Sequence, residues 1–156
     1  MEMKTKELIA SQVAEVELIF KTRVKSSERI AIRDSKDCYQ VFKEIWDKGK
    51  ISLVEEFKVL FLNRANKIVG FLEVSSGGIT GTVADPRIIL VTALKILAVN
   101  IVLAHNHPSG NLKPSRADEE LTRKIKGACG YFDIMLLDHI ILTDESYFSF
   151  ADEGIL

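Results

Sequence analysis

The chain has 156 residues, 47% of them hydrophobic and 28% charged, with 21 basic residues against 22 acidic ones and a formal net charge of -1. A chain of this length buries a core without covalent staples, and its two cysteines, Cys38 and Cys129, stand too far apart for a disulfide framework or a C-x-x-C zinc cluster. The near-neutral balance excludes the global cationic field that drives nonspecific DNA binding. No apolar run approaches the roughly 18 residues of a membrane span, and the start of the chain leads into no signal-peptide core, so a cytoplasmic protein is expected.

Residues 1–12 are expected to be a flexible tail, and residues 13–156 a single domain. Val13 to Lys21 sets Val16, Leu18 and Phe20 against Glu15, Glu17 and Lys21, the alternation of a half-buried edge strand. Ser35 to Lys48 predicts a helix capped by Ser35 and stopped by Gly49, burying Val41, Phe42, Ile45 and Trp46. Strands follow near Phe57–Leu62 and Ile68–Val74, joined by a turn containing Asn and Lys, which is a hairpin signal. Ser75 to Gly78 interrupts the pattern and Ile79–Val83 resumes it. Asp85-Pro86 sets a capping acid before a first-turn proline, predicting a helix through about Ala98 that buries Ile89, Leu90, Ala93 and Leu97.

Ile101 to Ala104 is an apolar, β-branched segment expected to be a buried strand, and His105-Asn106-His107 emerges at its carboxyl end. Open α/β sheets place their sites at such strand ends. Residues two apart on an extended chain point the same way, so His105 and His107 can aim at one ion while Asn106 faces elsewhere. Ser115 to Ile125 carries Ala117, Leu121 and Ile125 at helical spacing, which puts Asp118 in the first turn of a helix. Two imidazoles and one carboxylate form a three-ligand set that leaves a fourth position open, the arrangement of a catalytic rather than a structural zinc site. Pro108, Gly110 and Pro114 shape the intervening loop. Ser115-Arg116-Ala117-Asp118 also fits a capping box, in which serine and acid serve only the helix start, and the two histidines read alone are also compatible with a polar loop. Further strands are expected near Phe132–Leu137, Ile140–Thr143 and Tyr147–Phe150. Strands mixed with helices on both sides of the metal strand indicate an α/β fold, a three-layer α/β/α sandwich around a mixed sheet.

The pattern His-x-His, seven residues, Ser, two residues, Asp resembles that of the JAMM (JAB1/MPN+) metalloproteases, and the string from His105 to Thr122 is similar to their RadC-family branch. Asn63 to Lys67, Gly81 to Arg87, Asp138-His139 and Ser149 to Gly154 are similar to the RadC-like domain in order and spacing, from about residue 50 to the C-terminus and more weakly back toward residue 13. The resemblance implies the JAB1/MPN, cytidine-deaminase-like sandwich, and this chain is expected to be a short form without the helix-hairpin-helix-like region of longer RadC proteins. It implies one zinc ion per chain held by His105, His107 and Asp118. It also implies an upstream glutamate that moves the proton of the attacking water, with Glu55 as first choice and Glu56 as runner-up, although either acid read alone is an ordinary solvated residue. Ser115 acquires the role of hydrogen-bond donor to the oxyanion. His139 is expected to be a buried, hydrogen-bonded strand residue rather than a fourth ligand, since a closed shell would block water.

Three functions compete at this point. A zinc hydrolase of a peptide or isopeptide bond accounts for every residue type at its spacing. A DNA-repair or mobile-element accessory, or a metal-dependent nuclease, needs a phosphate-binding surface that the composition does not provide; Lys113, Arg116, Arg123, Lys124 and Lys126 cluster near the site, but on a helix such residues are usually just its solvated face. A non-catalytic metal-binding scaffold would be expected to lack a ligand or Ser115, and all are present. The absence of H-E-x-x-H and of the deaminase pattern sets other zinc enzymes aside. The substrate is expected to be protein, with no membrane partner.

Overall fold

A computed structural model describes residues 12–14, 19, 21–77 and 83–156. The expected tail over 1–12 and edge strand over Val13–Lys21 lie for the most part outside these residues, as does the strand expected over Ile79–Val83, of which only the exposed Val83 is described.

The elements in chain order are α1 (Ser35–Ile45), β1 (Glu56–Leu62), β2 (Ile68–Ser76), α2 (Pro86–Lys95), β3 (Asn100–Asn106), α3 (Arg116–Gly130), β4 (Met135–Leu142) and β5 (Tyr147–Ser149). One sheet runs in the order β2-β1-β3-β4-β5, with β3 antiparallel to β1 and parallel to β4. Alternation along the strands divides the core in two. Phe57, Val59, Phe61, Ile101 and Leu103 pack with Ile89 and Ala93 of α2 and Ile125 and Cys129 of α3. Leu60, Leu62, Val102, Ala104, Ile140 and Leu142 pack with Cys38 and Phe42 of α1 and with Trp46. The protein is thus a three-layer α/β/α sandwich with a mixed sheet, as expected, and β3 at its centre is buried along its whole length.

Several expectations are corrected by this architecture. The cap of α1 is Asp34, whose carboxylate accepts from Asp37 N at 2.8 Å, because the Ser35 hydroxyl is engaged with Asp152 and Tyr147 of distant segments. The helix ends at Ile45, with Val41 and Ile45 only half-buried, and Trp46 enters the core from extended backbone. α2 keeps Asp85 as its cap but closes at Lys95; Leu97 turns the chain in the left-handed region (φ 54°) and is 70% exposed, while Ala98 takes the buried position and donates to Ala93 O at 2.9 Å. α3 runs on to Gly130 with Ala117 exposed, and its buried line is Thr122, Ile125 and Cys129. The two strands expected near Phe132–Leu137 and Ile140–Thr143 are one, β4, since Asp138 and His139 are buried with partners of their own, and Phe132 is exposed before it.

Candidate metal centre

β3 carries His105 and Asn106 to its end, and His107 is held to the sheet by its backbone N–H donating to Leu142 O at 2.9 Å. The chain then turns through Gly110, whose φ of 81° is left-handed, toward Ser115 at the N-cap of α3. The capping box is formed. Ser115 Oγ accepts from Asp118 N at 3.1 Å, while Asp118 Oδ2 accepts from Ser115 N at 2.6 Å and from Ser115 Oγ at 2.7 Å. The cap leaves the other carboxylate oxygen free for the sheet. Asp118 Oδ1 lies 3.3 Å from His105 Nε2, and Oδ2 lies 3.7 Å from His107 Nε2.

The two histidine Nε2 atoms are 3.0 Å apart, and one donor atom each from His105, His107 and Asp118 falls within 4.8 Å of the others. His107 Nδ1 lies 2.6 Å from the Asn111 carbonyl, an acceptor, so that nitrogen holds the ring proton and Nε2 of the neutral ring is a lone pair. Asp118 beside it raises the His107 imidazole above its ordinary pKa. Burial alone would raise the Asp118 carboxyl, but the facing imidazoles of His105 and His107, when protonated, together with the Ser115 hydroxyl outweigh that and hold it well below the usual carboxylate range. An anion facing two imidazole nitrogens 3.0 Å apart could hold a cation, and a set of two nitrogens and one carboxylate suits a first-row dication.

Glu55 and Glu56, adjacent in sequence, face different surroundings. Glu55 is half-buried and lines a cavity of about 300 Å³ together with His107, Ser109, Asn111, Lys113 and Ser115. Glu56 is buried on the α1 side of the sheet, its carboxylate 3.0 Å from Lys58 Nζ and 3.7 Å from Lys50 Nζ. Asn106, between the two histidines, also points to the α1 side; its Oδ1 accepts from Glu56 N at 2.7 Å and its Nδ2 donates to Ile51 O and Val54 O at 2.7 and 2.8 Å.

His139 sits in β4 behind the centre. Its Nε2 is 2.8 Å from His105 Nδ1 and its Nδ1 is 2.6 Å from Thr122 Oγ1. Complete burial, with His105 adjacent, holds its imidazole well below the ordinary histidine range and so neutral. Hydrophobic patterning gave Thr122 no role; the signal was a hydroxyl four residues after Asp118, on the face of α3 turned to the sheet. Of the basic residues near the site, Lys113 lines the cavity, while Arg116 pairs with Glu120 at 2.9 Å, Arg123 bonds Glu119 O, and Lys126 bonds Leu156 O. Arg123, Lys124 and Lys126 are exposed along α3.

Among the described residues, no helix is long and apolar enough to cross a membrane. The family model of the RadC-like JAB domain matches residues 32–155. The UPF0758 protein of Flavobacterium johnsoniae is 45% identical over 124 residues, which are 80% of this chain and 53% of that protein. A UPF0758 protein of Aquifex aeolicus is 36% identical over 128 residues, 82% of this chain and 54% of its own length, and one of Porphyromonas gingivalis is 47% identical over 103 residues, 65% and 45%. The chain therefore spans about half the length of these curated relatives. With its sandwich fold, its His-His-Asp group and this match across both helical layers, the chain belongs to the RadC-like JAB domain family, a metal-dependent, hydrolase-like domain.

Proposed function

We propose that the domain is a zinc hydrolase that cleaves an amide bond, peptide or isopeptide, in a protein substrate, with one zinc ion per chain held by His105, His107 and Asp118. The observation that carries this reading is that the three donors converge beside an open cavity that also presents a carboxylate, Glu55, and a hydroxyl, Ser115. The ion, when bound, supplies Lewis acidity and brings the pKa of water toward about 7. Glu55 lies outside the ligand set, where its carboxylate accepts a proton from the attacking water and returns it to the leaving amine. Ser115 has a single hydroxyl proton, which it donates to Asp118 Oδ2. Turned toward the substrate, the hydroxyl donates to the oxyanion developing on the carbonyl, and Asp118 keeps the Ser115 backbone N–H as a partner. Lys113 gives the cavity rim a positive charge that favours acidic substrates. Cys38 and Cys129 are both free and buried, which suits the reducing conditions of the cytoplasm.

The reading is tested by elemental analysis of wild type and His107→Ala, followed by peptide and isopeptide hydrolysis by wild type and Glu55→Gln. One zinc per chain, lost in His107→Ala and kept in an inactive Glu55→Gln, is the expected result. Absence of zinc from the wild type after supplementation overturns it, and zinc without hydrolysis of either bond class would make the domain a metal-binding scaffold.

A further inference from the structure

Thr122 is buried one helical turn beyond Asp118, and His139 is buried in β4 behind the centre. We propose that Thr122 and His139 are positioning residues that fix the tautomer of His105, so that its Nε2 offers a lone pair to the ion; this deepens the metal reading above and rests on it. The protons fall into a fixed order. The Thr122 hydroxyl has one, and it is donated to the Asp118 carbonyl at 2.6 Å, a group that only accepts. Toward His139 Nδ1, 2.6 Å away, the hydroxyl oxygen therefore accepts, and the single proton of the neutral His139 ring sits on Nδ1. His139 Nε2 is then a lone pair, so His105 Nδ1, 2.8 Å away, supplies the proton between them. That leaves His105 Nε2 bare, 3.0 Å from His107 Nε2 and 3.3 Å from Asp118 Oδ1.

The relay has one direction because it begins at a backbone carbonyl, which has no alternative protonation state near neutral pH. Aromatic packing holds each ring in its own orientation: Phe57 lies parallel to His105 with centroids 6.0 Å apart and a 3° interplanar angle, and Phe150 stacks on His139 at 4.7 Å and 15°. His107 reaches the same state independently through the Asn111 carbonyl. Asp118 thus has two distinct functions. Its side chain faces the ion site, and its backbone carbonyl orders the ring of another ligand. Without the Thr122 hydroxyl, His139 is free to place its proton on Nε2, and His105 then points an N–H at the ion site.

The test reads tautomers and zinc affinity rather than turnover. Long-range 15N–1H spectra of the metal-free wild-type protein are expected to show His105 and His139 both protonated at Nδ1. Thr122→Val, of nearly the same volume, is expected to mix these tautomers and to weaken zinc binding about 10- to 100-fold in competition with a chromophoric chelator. Thr122→Ser, which restores the hydroxyl, is expected to restore both. A wild-type spectrum with His105 protonated at Nε2 overturns the proposal without recourse to any variant. A folded Thr122→Val protein with wild-type tautomers and wild-type zinc affinity overturns it as well. If the wild type binds no zinc, the hydrolase reading fails, while the tautomer spectrum still decides the relay.

Discussion

Asn106 holds the backbone of Glu56: its Oδ1 accepts the Glu56 N–H at 2.7 Å, from within the strand that carries both histidines. The same amide donates to Ile51 O and Val54 O, so the segment leading to Glu55 is tied to the metal strand by one buried side chain. Gly77 N donates to Glu55 O at 2.7 Å from the other side. The distance between Glu55 and the ligand set is thus fixed by bonds made on the opposite face of the sheet.

Asn106→Ala leaves three backbone groups, two of them buried and one half-buried, without their partner, and a loss of about 3 kcal/mol in unfolding free energy is expected. Urea denaturation measures it. Zinc content should persist, since neither histidine is touched, while hydrolysis falls as Glu55 loses its anchor. A loss of stability within experimental error would show that this amide is not what holds the segment.

Glu55→Gln and Glu56→Gln are expected to separate cleanly. Glu55 lines the cavity, so the first variant should keep its stability and its metal and lose at least about a hundredfold in turnover. Glu56 is paired with Lys58 in the core, both almost fully buried, and breaking such a pair typically costs about 3 kcal/mol. Thermal unfolding and turnover of both variants, measured together, check the assignment; a stable, inactive Glu56→Gln beside an active Glu55→Gln would reverse it.

Gly110→Ala probes the loop between the ligands. A Cβ placed there meets nothing within 4 Å, so any cost is conformational, set by the φ of 81°. About 1 kcal/mol of stability should be lost. Because this turn leads from His107 to Ser115, zinc affinity should fall with it. Chelator competition on the variant is the measurement, and unchanged affinity would mean that the loop adapts without moving its ligands.

Burial pushes the Cys38 thiol up to about 12 and the Cys129 thiol up to about 11. Neither should react with a thiol reagent at pH 8 until the protein unfolds, when both should react. The same shifts carry a sign for stability. Raised folded-state values stabilise fully below the unfolded thiol pKa, and that contribution is lost as pH rises from about 8.5 through the folded-state values. Denaturation midpoints between pH 8 and 11 should therefore decline, and rapid labelling of the native protein would contradict the burial of both thiols.

Local interactions along the chain were enough to bring the three proposed metal donors together. The apolar run into His105 makes β3, the two-residue period points His105 and His107 the same way, and S-x-x-D both caps α3 and sets Asp118 in its first turn. Each of these needs only neighbouring residues, so the donors were legible together. Which acid faces the cavity was not, because Glu55 and Glu56 differ by one step along the chain and only the pairing of β1 with β3 chooses the side. The assembled sheet also makes Asp138 and His139 continue β4 rather than divide it. Hydrophobic periodicity breaks at a polar pair, whereas Asp138 is buried against Ser149 Oγ and Ala151 N, and His139, expected to be a buried strand residue, lies between His105 and Thr122. Buried polar groups are stable only with partners, and these partners are separated along the chain by up to 34 residues and meet only when the sheet and α3 close on one another.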